Sequence, residues 1–149
     1  MAKAFIDLGL EKYGSVCILG FNSPEWHISN LAAIFAGGFA TGIYPTNGTD
    51  ACKYILEHSK CNVLVVEDQK QLDKIWAVKS ELPNLKKIVQ YTGIPNTPGV
   101  ISWKVTIDNH CQNINKTHFL RTFSTEEIVW MTLHSSQGSG ASPSTSVPP

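Results

Sequence analysis

The chain has 149 residues, enough for one ordinary domain with a single core. Hydrophobic residues make up 42% and charged residues 16%, so the body is globular rather than disordered, with fewer charges than most domains carry. Lys plus Arg number 12 against 12 Asp plus Glu, and Arg121 is the single arginine, a balance that leaves no electrostatic footprint for nucleic acid or for an acidic membrane surface.

In chain order, Ala2 to Lys12 reads as a short helix that carries Phe5, Ile6 and Leu8 to Leu10 and ends at Gly14. Ser15 to Gly20 is a compact apolar run of the kind found in buried parallel strands. Ser23 before Pro24 is a helix N-cap with proline at the first helical position, and the helix runs to Gly37. Its Ile28, Leu31, Ile34 and Phe35 recur at three- and four-residue steps, which predicts that they share the core-facing side. Thr41 to Tyr44 is the next strand, and Thr49 caps a helix that turns Cys52, Ile55, Leu56 and Ser59 inward. Asn62 to Val66 is the clearest strand. Asp68 with Gln71 forms a capping-box pattern, and Leu72, Ile75 and Trp76 continue a helical stripe until Leu82-Pro83. Lys87 to Tyr91 is a further strand, and after the loop through Gly93 and Pro98 the segment Val100 to Trp103 reads as a brief one.

Strand and helix thus alternate up to Tyr91, which predicts an α/β fold: a parallel sheet with helices on both faces. Beyond Trp103 the periodicity fails. Ser124 and Glu127 suit a short helix through His134, and Ser135 to Pro149 is an uncharged Ser, Gly and Pro tract expected to be disordered. The organisation is therefore 1–103 as the ordered unit, 104–134 without a clear pattern, and 135–149 as tail.

Four irregularly spaced cysteines, Cys17, Cys52, Cys61 and Cys111, with no basic region leading into a long apolar core at the start, point to a reduced, cytoplasmic setting. The uncharged run from Ile28 to Thr49 is long enough to span a bilayer, but Gly37-Gly38 divides it into a helical and a strand half, which favours two buried elements.

Each motif that invites a chemical role has a plainer reading. Gly20-Phe21-Asn22-Ser23 lies between strand and helix, where anions bind, yet holds one glycine where a dinucleotide turn needs three. Gly37 and Gly42 have phosphate-loop spacing, but Ile43-Tyr44 stands where lysine and a hydroxyl residue must follow. Ser23 lacks the flanking glycines of a nucleophile elbow and reads as a cap. Cys52, His58 and Cys61 lack a fourth ligand and read as two core cysteines and a surface histidine, and His110, Cys111 and His118 fall where the pattern is lost. Cys17 and His27 have no identifiable partner. Glu25 and Asp50 complement helix dipoles, and Trp26, Phe35, Trp76 and Trp103 are core or interface aromatics.

Val16 to Trp26, with Ala36-Gly37-Gly38, Gly42-Ile43-Tyr44, Ala51 to Ile55, Asn62 to Glu67 and Lys70 to Ile75, resembles the bubblegum-type long-chain acyl-CoA synthetases, a branch of the adenylate-forming enzymes, from Phe5 to about Trp103. The resemblance implies an incomplete part of the large amino-terminal domain of such an enzyme. It also implies a two-step reaction in which a fatty acid attacks ATP to give acyl-adenylate and pyrophosphate, and CoA thiol then displaces AMP. ATP, magnesium and CoA would be the parent family's cofactors and fatty acid its substrate, with peripheral membrane association or pairing with a full-length synthetase as further partner readings. That chemistry requires donors and cations around the phosphates. The family's Thr-Ser-Gly-Thr-Thr-Gly run leading to Pro-Lys-Gly and its catalytic lysine have no counterpart here; Ser135 to Gly140 imitates the composition without the order or the lysine. No catalytic, cofactor-binding or metal residue is therefore assigned, and the chain is expected to be inactive alone. The rival expectation is a free-standing flavodoxin-like module that binds a small ligand at the strand carboxyl ends.

Overall fold

A computed structural model describes residues 1–111. Its elements in chain order are α1 (Ala2–Asp7), β1 (Ser15–Leu19), α2 (Pro24–Phe35), β2 (Phe39–Ile43), α3 (Thr49–His58), β3 (Cys61–Val66), α4 (Gln69–Trp76), a 3-10 turn at Lys79–Glu81, β4 (Lys87–Gln90), β5 (Val100–Ser102) and α5 (Trp103–Cys111). The five strands form one parallel sheet in the order β2-β1-β3-β4-β5.

β1 and β3 occupy the middle, and every residue of both is buried. That explains their unbroken apolar runs, since strands covered on both faces have no solvent side to alternate with. On one face Cys17, Leu19, Leu64, Val66 and Ile88 meet Cys52 and Leu56 of α3 and Leu72 and Ile75 of α4. On the other, Val16, Ile18, Val63, Val65 and Val89 meet Phe5 of α1 and Ala32, Ala33 and Ala36 of α2 and its cap, with Trp103 of α5 packed alongside. The expected α/β layering is thus present, and the Ile28 to Thr49 run supplies α2 and β2. No helix among the described residues is long and apolar enough to cross a membrane.

Several boundaries differ from the sequence reading, each for a local reason. α1 stops at Asp7 because Gly9 takes a φ of 100°, with its N–H bonded to Ile6 and that of Leu10 to Phe5; Gly14 lies beyond the turn. Gly48, not Thr49, is the N-cap of α3. α4 ends at Trp76, well before Leu82. Only half of the capping box forms: Asp68 accepts the Gln71 N–H at 2.9 Å, but the Gln71 side chain is buried and its Oε1 has no partner among the described residues. Trp103 opens α5 rather than ending a strand, with Ser102 Oγ accepting the Val105 N–H at 3.3 Å.

The largest departure is in α2. Ile34 is buried, but Ile28, Leu31 and Phe35 are exposed, and the face against the sheet is made of Ser29, Ala32 and Ala33. Small side chains let the helix lie close on the strands, and Ile28, Leu31 and Phe35 are turned outward. The expected helix at 124–134 and the tail at 135–149 lie outside the described residues.

Candidate functional site

In the sheet, β1 leads through α2 to its neighbour β2, while β3 leads through α4 to β4 on the other side. α2 and α4 lie on opposite faces, so the two connections part at the carboxyl ends of β1 and β3. This is the topological switch point at which doubly wound sheets of this strand order bind ligands. Leu19 is in register with Val66, and Val66 with Gln90. Gly20, Glu67 and Tyr91 consequently emerge side by side at the carboxyl edge.

Those three positions join the loops that follow β1, β3 and β4. The Glu67 carboxylate accepts the Phe21 N–H at 2.9 Å, and the Tyr91 hydroxyl donates to the Phe21 carbonyl at 3.4 Å. Backbone bonds tie the same loops together: Glu67 N–H to the Leu19 carbonyl at 2.9 Å, Tyr91 N–H to Val66 at 3.0 Å and Thr92 N–H to Glu67 at 2.7 Å. Gly20 is required here, because a Cβ would fall on the Tyr91 hydroxyl and within 2.9 Å of the Glu67 Cβ. Burial pushes the Tyr91 phenol up to about 12, Ser23 opposes the shift through a hydrogen bond, and the carboxylates Glu67, Glu25 and Asp68 add to it.

Ser23 does what a cap does: its Oγ accepts the Trp26 N–H at 3.1 Å from an extended backbone. At the start of α2 the Trp26 N–H is therefore engaged by Ser23, the Phe21 N–H of the preceding turn by Glu67, and Glu25 stands in the first turn. Nucleotide phosphate needs free N–H groups and cations. The groups at this edge offer carboxylates instead, so they do not fit ATP phosphates.

The remaining motifs fall out in the same way. Gly37, with φ 80°, ends α2: its N–H bonds Ile34 and that of Gly38 bonds Ala33, a helix terminus and not a phosphate loop. Gly42 lies within β2 against the Trp26 ring. Cys52 and Cys61 are both in the core, at opposite ends of α3, and their sulfurs turn to different carbonyls, Asn47 at 3.8 Å and Val63 at 3.1 Å. Burial pushes both thiols up, against the thiolate a metal needs. His58 is exposed, its ring 5.6 Å from that of Tyr54. Cys17 is buried beside Ser59 at 3.2 Å, and His27 stands edge-on to Trp26. The side chains of His110 and Cys111, and His118, lie outside the described residues. No cluster of three metal-ligating side chains occurs among the described residues.

Sequence reasoning missed Glu67 and Tyr91 as partners of the Gly20 turn. The available signal was positional: both follow the last residue of a strand. A cavity of about 200 Å³ lies at the opposite, amino edge, between Leu56, Cys61 and the 81–85 loop, with Lys53 bridging Glu81 beside it.

Comparison with known proteins now adds to this geometry. The family described as AMP-binding enzyme matches residues 1–130. A long-chain-fatty-acid–CoA ligase of Xenopus laevis, ACSBG2, is 53% identical over 105 residues, which is 69% of this chain and 14% of the ligase. The ligase ACSBG1 of Rattus norvegicus is 52% identical over 95 residues, 64% of this chain and 13% of its own length. Among solved structures, the anthranilate CoA ligase AuaEII in complex with anthranoyl-AMP superposes with a TM-score of 0.64 at 28% identity, covering 72% of this chain and 20% of that one. A CoA ligase structure from Rhodopseudomonas palustris, at 19% identity and a TM-score of 0.59 over 70% of this chain and 26% of its own, shares the fold. The chain thus spans about one-seventh of the length of the curated relatives it matches.

Proposed function

The chain belongs to the AMP-binding enzyme family, and from that membership we propose that it is part of a long-chain fatty acid–CoA ligase of the bubblegum type, a scaffold layer that holds no reacting group itself. The observation that carries this reading is 53% identity to such a ligase over 105 residues. The carboxyl edge supports the scaffold role, because Glu67 occupies the Phe21 N–H and Ser23 the Trp26 N–H, and the neighbouring charges are carboxylates.

In the whole enzyme, ATP and fatty acid would give acyl-adenylate and pyrophosphate, and CoA would then take the acyl group. ATP, magnesium and CoA would be held by polypeptide other than residues 1–111. The reading divides the chain into 1–103 as partial synthetase domain, 104–134 as the stretch that departs from the resemblance, and 135–149 as tail. It places the chain in the cytoplasm, in keeping with the free thiols of Cys17, Cys52 and Cys61. The flavodoxin-like alternative has the matching strand order and would place its ligand at this carboxyl edge, beside Glu67 and Tyr91.

The purified chain, given ATP, magnesium and a long-chain fatty acid, is expected to release no pyrophosphate above background. Release that depends on both substrates would overturn the scaffold reading.

A further inference from the structure

β2 ends at Ile43, in register with Leu19, and α3 begins at Thr49, so the connection 44–48 lies at the carboxyl edge of the parallel sheet. It contains Asn47-Gly48, and of the chain's asparagines Asn47 alone precedes a glycine. Most of the backbone around this pair is held. Pro45 and Thr46 form the middle of a turn closed by the Asn47 N–H on the Tyr44 carbonyl at 2.9 Å, and the Gly48 carbonyl takes the Cys52 N–H at 3.0 Å. Lys74 Nζ donates to the carbonyls of Pro45 at 2.7 Å and Asn47 at 3.0 Å. Two groups are left over: among the described residues, neither the Asn47 side-chain amide nor the Gly48 N–H makes a hydrogen bond.

Those two groups are the electrophile and the nucleophile of one reaction. A backbone nitrogen attacks in its deprotonated form, and resonance places the resulting charge on the carbonyl of the same peptide group. For Gly48 that is the Asn47 carbonyl, to which Lys74 brings its ammonium. Glycine sets no Cβ beside the attacking nitrogen and leaves it the freedom to approach.

We propose that Asn47 is a site of deamidation through a cyclic imide, which converts it to isoaspartate and aspartate without an enzyme. The Gly48 nitrogen bonds to the Asn47 Cγ, the Cγ–Nδ2 bond breaks, and the amide leaves as ammonia with the proton that Gly48 gives up. Water then opens the imide at either carbonyl. Opening at Cγ yields aspartate; opening at the backbone carbonyl yields isoaspartate, with the main chain rerouted through Cγ. In sum, one water is consumed, one ammonia is released, and a carboxylate appears just ahead of the Gly48 cap of α3, where negative charge is favoured. In the isoaspartate product the carbonyl that Lys74 and the Cys52 thiol bond becomes part of that carboxylate and leaves the main chain. The inference does not depend on the ligase reading.

The test follows the full chain in heavy-oxygen water at neutral pH and physiological temperature, beside a peptide of residues 44–52. Peptide mapping locates the mass gain of amide-to-acid conversion, and methylation by a protein isoaspartyl methyltransferase counts the isoaspartate. Asn47 is expected to convert before any other asparagine, at a rate within about tenfold of the peptide's. Gly48→Ala, whose added Cβ meets nothing within 4 Å, should keep the parental circular dichroism and slow conversion by at least about tenfold. Asn47→Gln should carry no isoaspartate at this position. A chain slower than that relative to the peptide would show that the fold shields the pair. First conversion at another asparagine would move the site, and conversion of Gly48→Ala at the parental rate would take the Gly48 nitrogen out of the step. Each of these results would overturn the proposal.

Discussion

The Glu67 carboxylate accepts the backbone N–H of Phe21 at 2.9 Å, joining the loop after one central strand to the loop after the other. A carboxylate accepting a backbone N–H makes a charge-assisted bond, here in the turn that precedes α2. The bond is solvent-exposed, so its contribution is modest. Glu67→Ala should lower stability by about 1 kcal/mol, and Glu67→Gln, which keeps an acceptor, by less. Urea unfolding midpoints of the three proteins check the ranking; an unchanged midpoint in the alanine variant would show that the bond does not hold the two loops together.

Tyr91 should ionise late. Its phenol is raised by burial to about 12 from an ordinary value of 10, so the folded state holds the proton more tightly than the unfolded one. The associated stability is fully present below pH 10 and is lost as pH rises toward about 12. Absorbance titration of the phenolates should show a late step that Tyr91→Phe removes and Glu67→Ala moves to lower pH, because a neighbouring carboxylate opposes the phenolate. A late step that survives in Tyr91→Phe would assign it to another group.

The two sides of α2 should respond in opposite ways. Leu31 is 53% exposed and Ala33 fully buried against the sheet. In the isolated chain Leu31→Ser should change stability by no more than about 0.5 kcal/mol, whereas Ala33→Leu, which forces extra methylenes between helix and sheet, should cost about 1–3 kcal/mol. Thermal or urea unfolding of both variants decides it, and a large loss from Leu31→Ser would place that side chain in the core.

The sheet was legible because β1 and β3 are buried on both faces and announce themselves as unbroken apolar runs, while Ser23-Pro24 and Asp68 mark helix starts chemically. The orientation of α2 was not, since periodicity reports that a face is apolar and not which layer it meets. Ala32 and Ala33 give a weak apolar signal, yet their small size is what brings the helix onto the strands. α5 escaped notice because, in the stretch whose burial is described, Thr106 alone is fully buried, leaving little apolar periodicity to read. At the carboxyl edge, the Gly20 turn was recognised as a candidate and set aside for want of glycines. The physical reason is stronger: Glu67 and Tyr91, 47 and 71 residues further on, fill it, and only the strand register brings them there.

On the proposed function, residues 5–103 are an interchangeable scaffold layer of a long-chain fatty acid–CoA ligase. The most direct measurement is fatty-acid- and ATP-dependent pyrophosphate release by the frog ligase in which the matching segment has been replaced by residues 5–103 of this chain. A chimera that retains kcat/KM within about tenfold of its parent, a loss of no more than about 1.4 kcal/mol of transition-state stabilisation, is the predicted result. A folded chimera with no such release would contradict the claim.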